Sequence, residues 1–361
     1  MKPRNRALAA LGAGALILSA GAVLPAAADE SESAHTTVAD GLNNPRHLSF
    51  GTDGKLYVAE SGVGGDLALG EGAEGELYFG FTGSVTRVNP SNGAQTRVLT
   101  GLPSAAAEDG GGASGPADVQ QQGTRFHVSM GLGGPPEVRV GVPGAEWLGT
   151  FLTGTFSKGP KLEADLAEFE GVNDPDADGA DSNPGGFVKD GSNYVIVDAG
   201  GNSLLRIRPN GSIQTIAVFP SVAKPEVAPG FMMDPVPTSV TKGPDGAYYV
   251  STLTGFPFPA GEAMIWRVVA GQAPQVYVSG LTTVTDLAWN GSDLYAVQLG
   301  LLTNDPGSVV QVVDDGEVLG EPMVLASAFA PYGIAIGGGS AYVTTGSVLP
   351  GGGEVIRVAL D

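Results

Sequence analysis

One pattern recurs six times along this chain: an apolar or small segment, a tight turn, and a β-rich run that ends near a polar residue. Its copies begin at Pro45 (PRHLSFGTDGKLYVAES), Pro116 (PADVQQQGTRFHVSM) and Pro184 (PGGFVKDGSNYVIVDAG), then at Pro237 (PTSVTKGPDGAYYVSTL), Thr285 (TDLAWNGSDLYAVQL) and Pro331 (PYGIAIGGGSAYVTTG). Repetition on this scale constrains a fold more than local propensity does. Each unit is one supersecondary element that must bury its faces against its neighbours.

Most copies carry a second pair of β-rich runs, as in SVTRVNPSNGAQTRVLTGL, SLLRIRPNGSIQTIAVFP and MIWRVVAGQAPQVYVSGL. Asp53-Gly54, Asp190-Gly191, Asp245-Gly246 and Asn290-Gly291 stand between the first two runs, and such pairs tolerate the positive φ of tight hairpins. Each unit therefore reads as four antiparallel strands in meander order. Six such sheets bury both faces when packed radially, so the predicted fold is an all-β, six-bladed β-propeller of four-stranded blades. The last unit stops after a third strand, GEVIRVAL, and the chain supplies HTTVADGL near its start, which resembles TRVLTGL and QVYVSGL. This predicts that the N-terminal strand completes the last blade. A two-domain sandwich would not require six repeats.

The copies start 71, 68, 53, 48 and 46 residues apart, against roughly 40–50 for a four-stranded blade. Extra material is thus expected in unit one (62–80) and unit two (131–183). In the latter, Leu162, Leu166 and Phe169 fall at helical spacing, which predicts a short amphipathic helix over residues 160–170 lying across one face.

Residues 1–28 read as an export signal: MKPRNR supplies positive charge, ALAALGAGALILSAGAVL the apolar core, and Ala26-Ala27-Ala28 the cleavage site. The domain division is then a signal peptide over 1–28 and one propeller over 29–361. The mature chain is expected to be secreted, monomeric and without a membrane span. Losing Lys2, Arg4 and Arg6 takes 18 basic residues to 15 against 38 acidic ones, a net of −23. Such acidity argues against nucleic acid as a partner. With no Cys, stability must come from a large core or bound ions.

Several phrases together, LNNPRHLSFGTDGKLYVAESG, GSVTRV, ADLAEFE followed by NDPDADGADSNPGG, VDAGGNSLLRI and AVFP, resemble the ScyD/ScyE family of secreted bacterial proteins, related in shape to NHL-type propellers. The resemblance covers essentially the whole mature chain and is most specific between Asp181 and Ile207. It implies the propeller fold and export. That family has no settled catalytic motif, so the resemblance transfers no site residues.

The blade arrangement puts the starts of the first strands and the ends of the second strands on one rim. Candidate ligand-binding residues there are Arg46, His47, Glu60, Asn183, Asp198, Asn202, Asp286, Gln298 and Tyr332. The equivalent second-strand positions read Glu60, Met130, Asp198, Thr252, Gln298 and Thr345, whereas a purely structural position in a repeat tends to read the same in each blade. By contrast Arg87, Arg206, Arg267 and Arg357 recur in four units and read as structural. Glu60 and Asp198 are candidate oxygen ligands for a divalent ion. Asp174, Asp176 and Asp178 open a D-x-D-x-D-G run that matches the start of a calcium loop, although the twelfth position is Gly185 rather than an acid. Ca²⁺ is the one cofactor suggested.

Three functions compete. An extracellular binding or scaffold propeller would take a small molecule, glycan or protein at the axial mouth. A lactonase- or esterase-type hydrolase would hold an axial metal on Glu60, Asn183, Asp198 and Asp286. A quinone-dependent dehydrogenase would use His47 as base and Arg46 as anion clamp. Whether the chain is an enzyme stays open on sequence alone.

Overall fold

The computed structural model describes residues 35–72, 75–301, 306–312 and 322–360; the expected signal peptide lies outside them. The described chain is all-β apart from one short α-helix and two 3₁₀ turns. It forms six antiparallel sheets of four or more strands, each built from consecutive hairpins, with one exception that joins the two ends of the chain.

Sheet I comprises Pro45–Phe50, Leu56–Glu60, Gly75–Val88 and Gln95–Ala106. The extra material of unit one is a hairpin: Leu67–Gly72 pairs with the extended start of Gly75–Val88. Sheet II comprises Pro116–Gln122, Arg125–Met130, Thr150–Thr155 and Gly159–Asp165. Sheet III runs Pro184–Asp190, Asn193–Asp198, Ser203–Ile207 and Ile213–Val218. Sheet IV runs Pro237–Lys242, Tyr248–Thr252, Ala263–Val268 and Gln275–Leu281. Sheet V runs Val284–Asn290, Asp293–Gln298, Gly307–Val312 and Met323–Ala328. Sheet VI joins Ile334–Gly337, Ser340–Thr345 and Gly353–Ala359 to the N-terminal strand His35–Leu42. That strand pairs antiparallel with Gly353–Ala359, His35 opposite Val358 and Leu42 opposite Gly353.

The helix differs from expectation. Residues 159–165 continue sheet II as its fourth strand, pairing Lys161 with Thr153 and Leu162 with Leu152. Helix α1 follows at Leu166–Asn173, where the Asp165 side chain accepts from the Glu168 N–H and caps it. Leu162 and Leu166 do not form one stripe: Leu162 is half exposed and Leu166 fully buried. The alternation Lys-Leu-Glu-Ala-Asp was the stronger local signal, and an open sheet edge claimed it. The insertion in unit two is therefore two pieces, 131–149 and 166–183, on either side of the second hairpin.

The core is divided among the gaps between sheets. Tyr57, Ala59, Phe126 and Val128 lie between I and II; Phe151, Phe187, Tyr194 and Ile196 between II and III. Val197, Val240 and Val250 lie between III and IV, and Ile265, Leu287 and Ala296 between IV and V. Val297, Val309, Ile334 and Val343 join V to VI. A further cluster of Leu42, Leu48, Leu56, Tyr342 and Val355 joins VI to I. No helix among the described residues is long and apolar enough to cross a membrane.

The recurrent arginines sit on third strands opposite second-strand residues: Arg87 faces Tyr57, Arg267 faces Tyr249 and Arg357 faces Tyr342. Arg267 also pairs with Asp245 at 2.7 Å in the first turn of its own sheet. These contacts lie within single sheets, whereas Arg206 of sheet III bonds Tyr248 of sheet IV.

Leu42 anchors the N-terminal strand in the VI–I cluster and is 1% exposed. Leu42→Ala should cost about 2–5 kcal/mol in urea unfolding. Val276→Ala, on the exposed side of a sheet IV strand, should stay within about 0.5 kcal/mol.

Candidate functional site

Five of the six units share one local device at the rim. Pro45 pairs with Glu60, Pro116 with Met130, Pro184 with Asp198, Pro237 with Thr252 and Val284 with Gln298. In each pair the register slips immediately afterwards. Proline is accommodated as the first residue of an edge strand because it has no N–H to leave unpaired. The slip is a β-bulge, which turns side chains off the pleat and re-aims them. Asp118 and Asp286 sit just past such slips, and Arg46 and His47 lie within one.

What these side chains meet is the backbone of the next sheet. Asp118 accepts from its neighbour Val119 N–H at 2.6 Å and from Phe187 N–H of sheet III at 3.0 Å. Asp286 accepts from Ser239 Oγ of sheet IV at 2.6 Å, from Leu287 N–H, and from Ile334 N–H of sheet VI at 2.8 Å. Ser49 donates to Val119 O, Thr238 to Val284 O, and Thr285 to Tyr332 O. Burial pushes the Asp118 carboxyl up to about 6, offset in part by His47, and raises that of Asp286 for the same reason.

His47 lies between these two carboxylates. Its Nδ1 is 3.0 Å from Ala117 O and its Nε2 is 3.2 Å from Thr285 O, with Asp286 Oδ1 at 3.9 Å. A neutral imidazole can donate to one of these carbonyls and a cationic one to both. Tyr332 meets the ring edge-on at 5.1 Å, and burial pushes its hydroxyl up to about 12. Arg46 packs over Tyr332 at 5.0 Å and donates to Ser347 O at 2.5 Å and Ala113 O at 2.8 Å. The cavity beside Arg46, which reaches Asn183 and Tyr332, is about 30 Å³. That is room for a water or two, far below the ~300 Å³ or more of ordinary ligand sites.

Glu60 belongs to the wall of sheet I. It is fully buried and accepts from Asn43 N–H, Ser84, Thr86 and the Arg97 guanidinium, the last at 2.8 Å. Asp198 accepts from Ser182 Oγ at 2.7 Å and Asn183 N–H at 2.6 Å, and burial pushes its carboxyl up to about 6. Asn183 Oδ1 accepts from Leu132 N–H. Gln298 is tied to Thr282 N–H and Ser308. Sequence reasoning grouped Glu60, Asn183, Asp198 and Asp286 around one axial ion. In the structure each is held by its own seam or wall, and Glu60 and Asp198 share no partner.

A second grouping forms at the rim of sheet III. Helix α1 ends at Asp174, whose φ of 41° is left-handed. Glu170, in the last helical turn, Asp174 and Asp176 each offer an oxygen within 4.8 Å of the others. Asn202 Nδ2 donates to Asp176 Oδ2 at 2.9 Å, and Gly179 N–H to Asp174 Oδ1. Asp178 is exposed. Glu170 and Asp181 are buried; both Glu170 carboxylate oxygens and Asp181 Oδ1 lack a hydrogen-bond partner. Burial and the Asp198, Asp176 and Asp174 charges push the Glu170 carboxyl up to about 9, and burial with Asp198, Asp176 and Asp234 pushes Asp181 up to about 8. Glu170 was missed in the sequence. The available signal was an acid four residues before Asp174 with no basic residue in the intervening turn.

A surface cleft of about 600 Å³ opens between the 131–149 insertion and α1, lined by Pro136, Glu137, Arg139, Val140, Val142, Pro143, Glu146 and Glu168. Arg139 is engaged from behind by Leu148 O at 2.8 Å and Asp165 at 3.2 Å. The cleft therefore presents apolar side chains framed by carboxylates.

Radially packed hairpin sheets with polar side chains at their inner seams define a protein of the β-propeller class. Solved structures agree. An aldose sugar dehydrogenase from Streptomyces coelicolor, in its PQQ-bound form, matches with a TM-score of 0.50 at 12% identity, over 90% of this chain and 96% of that one. A protein of unknown function from Bacteroides thetaiotaomicron gives 0.51 at 11%, over 90% and 75%. A gluconolactonase from Xanthomonas campestris gives 0.49 at 11%, over 90% and 89%. At such identities the first two show the fold alone. No family model and no curated protein sequence matches the chain.

Two predictions test the seams. Asp286→Asn turns an amide N–H toward Ile334 N–H and should cost about 1–3 kcal/mol in chemical denaturation. Because the Asp118 pKa is raised in the folded chain, its contribution is fully present below pH ~4 and is lost as pH rises through about 6. Stability of Asp118→Asn should therefore vary less over that window than stability of the unchanged protein.

Proposed function

We propose that this chain is a secreted, monomeric, six-bladed β-propeller, closed by its N-terminal strand, that serves as a binding module and takes its ligand on the rim. The ring is supported by the order of contacts: the first strands of sheets I to VI each touch the next, and that of VI touches that of I. The pairing of His35–Leu42 with Gly353–Ala359 supports closure by the N-terminal strand. Export rests on the 1–28 pattern and on the resemblance to the ScyD/ScyE family.

The observation that carries the binding reading is the cleft of about 600 Å³ beside α1, which has the volume of an ordinary ligand site. Its lining of Val140, Val142, Pro136 and Pro143, with Glu137, Glu146 and Glu168 among them, suits a small molecule or peptide side chain bearing an apolar body and a positive charge. The catalytic readings find less support. A lactonase-type site needs axial carboxylates free for an ion, and a quinone-dependent one needs Arg46 and His47 free for substrate; these groups are bonded to protein partners instead.

Titration calorimetry with arylalkylammonium ions, against carboxylates of the same carbon skeleton, tests this. The ammonium series should bind and the carboxylates should not. Glu168→Lys should weaken binding about tenfold, the loss of one favourable charge contact. Equal binding of both series, or of neither, would remove the cleft from consideration.

A further inference from the structure

Among the described residues no basic group pairs with the carboxylates gathered at the end of α1. Glu170 is fully buried with both oxygens unpaired, and Asp181 Oδ1 is likewise buried and unpaired. Asp174 and Asp176 lie beside Glu170, and the charges of Asp198 and, from the loop before sheet IV, Asp234 add to the repulsion. The last turn of α1 contains no basic residue, and a helix C-terminus adds partial negative charge of its own. A buried, unpaired carboxylate costs several kcal/mol, and it either takes up a proton or is compensated by a cation.

We propose that Glu170, Asp174, Asp176 and Asp181 form a Ca²⁺ site within the insertion that follows sheet II, walled by the loop after the second strand of sheet III. The donor set is all carboxylate oxygen, which selects a hard cation over Zn²⁺ or Cu²⁺. The 4.8 Å limit on the Glu170, Asp174 and Asp176 oxygens fits ligands at ~2.3–2.6 Å from one Ca²⁺, whose opposite oxygens stand about 4.6–5.2 Å apart. Mg²⁺ demands a tighter octahedron and retains its waters, which an irregular group drawn from a helix end and the loop after it serves poorly.

The opposite wall is shaped for close approach. A Cβ on Gly201 would lie 2.5 Å from Glu170 Oε2, and one on Gly200 would lie 2.8 Å from Asp181 Oδ1. Asn202 completes that wall and fixes Asp176. The site is not an EF-hand. The acid that such a loop carries at its twelfth position is replaced by Glu170, which enters from the helix before the loop.

The test uses the mature full-length protein and CaCl₂ alone. After chelation and desalting, calorimetry should give one Ca²⁺ per chain, and Ca²⁺ should raise the unfolding temperature. Glu170→Gln should bind Ca²⁺ at least about 100-fold more weakly, as expected for a lost ligand. In chelator it should unfold no lower than the unchanged protein, because it removes an unpaired buried carboxylate; this separates lost binding from misfolding. Asp176→Asn should also weaken binding, while Asp66→Asn, far from the site in sequence and exposed, should not. The proposal is overturned if no Ca²⁺ binds at about 1 mM, the weak end for extracellular sites. It is equally overturned if Glu170→Gln binds as the unchanged chain does, or if Mg²⁺ protects as well as Ca²⁺.

Discussion

The inner strand of each sheet is an edge, and the architecture depends on how its unpaired backbone groups are satisfied. An open edge exposes N–H and C=O groups that must find partners when buried. Here the partners are side chains of the neighbouring sheet. Asp118 reaches Phe187 N–H, Asp286 reaches Ile334 N–H, and Ser49, Thr238 and Thr285 donate to carbonyls across successive seams. The bulge after the first residue of the inner strand makes this possible by aiming those side chains sideways. The apolar clusters between sheets supply most of the burial, but they are not directional. The seam bonds set how each sheet is aligned with the next.

This use of polar residues explains why the axis looks like an active site in the sequence. Carboxylates, a histidine, an arginine and a tyrosine converge there, as they would in an enzyme. Their bonds, however, are to backbone groups and to one another, and the space left beside Arg46 is about 30 Å³. The free chemistry lies off the axis, in the two insertions of the second unit. One piece lines the cleft with Val140 and Val142, and the other delivers Glu170 and Asp174 to the rim of sheet III. Helix α1 belongs to both, with exposed Glu168 on the cleft side and buried Glu170 on the acidic side.

The strands were legible because hairpin chemistry is local. Asp-Gly and Asn-Gly pairs stand at the turns, with Gly54, Gly191, Gly246 and Gly291 at positive φ, and alternation does the rest. The N-terminal strand was found from likeness to TRVLTGL and QVYVSGL. Residues 160–165 were misread because Leu162, Leu166 and Phe169 fit a helical period by chance, while the deciding factor, an unfilled edge on Thr150–Thr155, is tertiary. The rim positions come from alignment of the repeats. Their roles were not legible: whether Glu60 is a ligand or a wall residue turns on Arg97, 37 residues away in sequence. Likewise the acidic run at 174–178 was visible, but Glu170 gains its meaning only when the chain folds back beside Gly201.

The pairing of His35–Leu42 with Gly353–Ala359 has a bearing on biogenesis. In synthesis this strand emerges more than three hundred residues before its partner, so the outer edge of sheet VI stays unfilled until that partner follows. Closing that contact spans more than three hundred residues, and such non-local pairing is slow relative to hairpin formation. Five sheets can assemble locally while the sixth waits. Without Gly353–Ala359 the His35–Leu42 strand has no partner, and an unpaired strand edge of this kind favours wrong pairing.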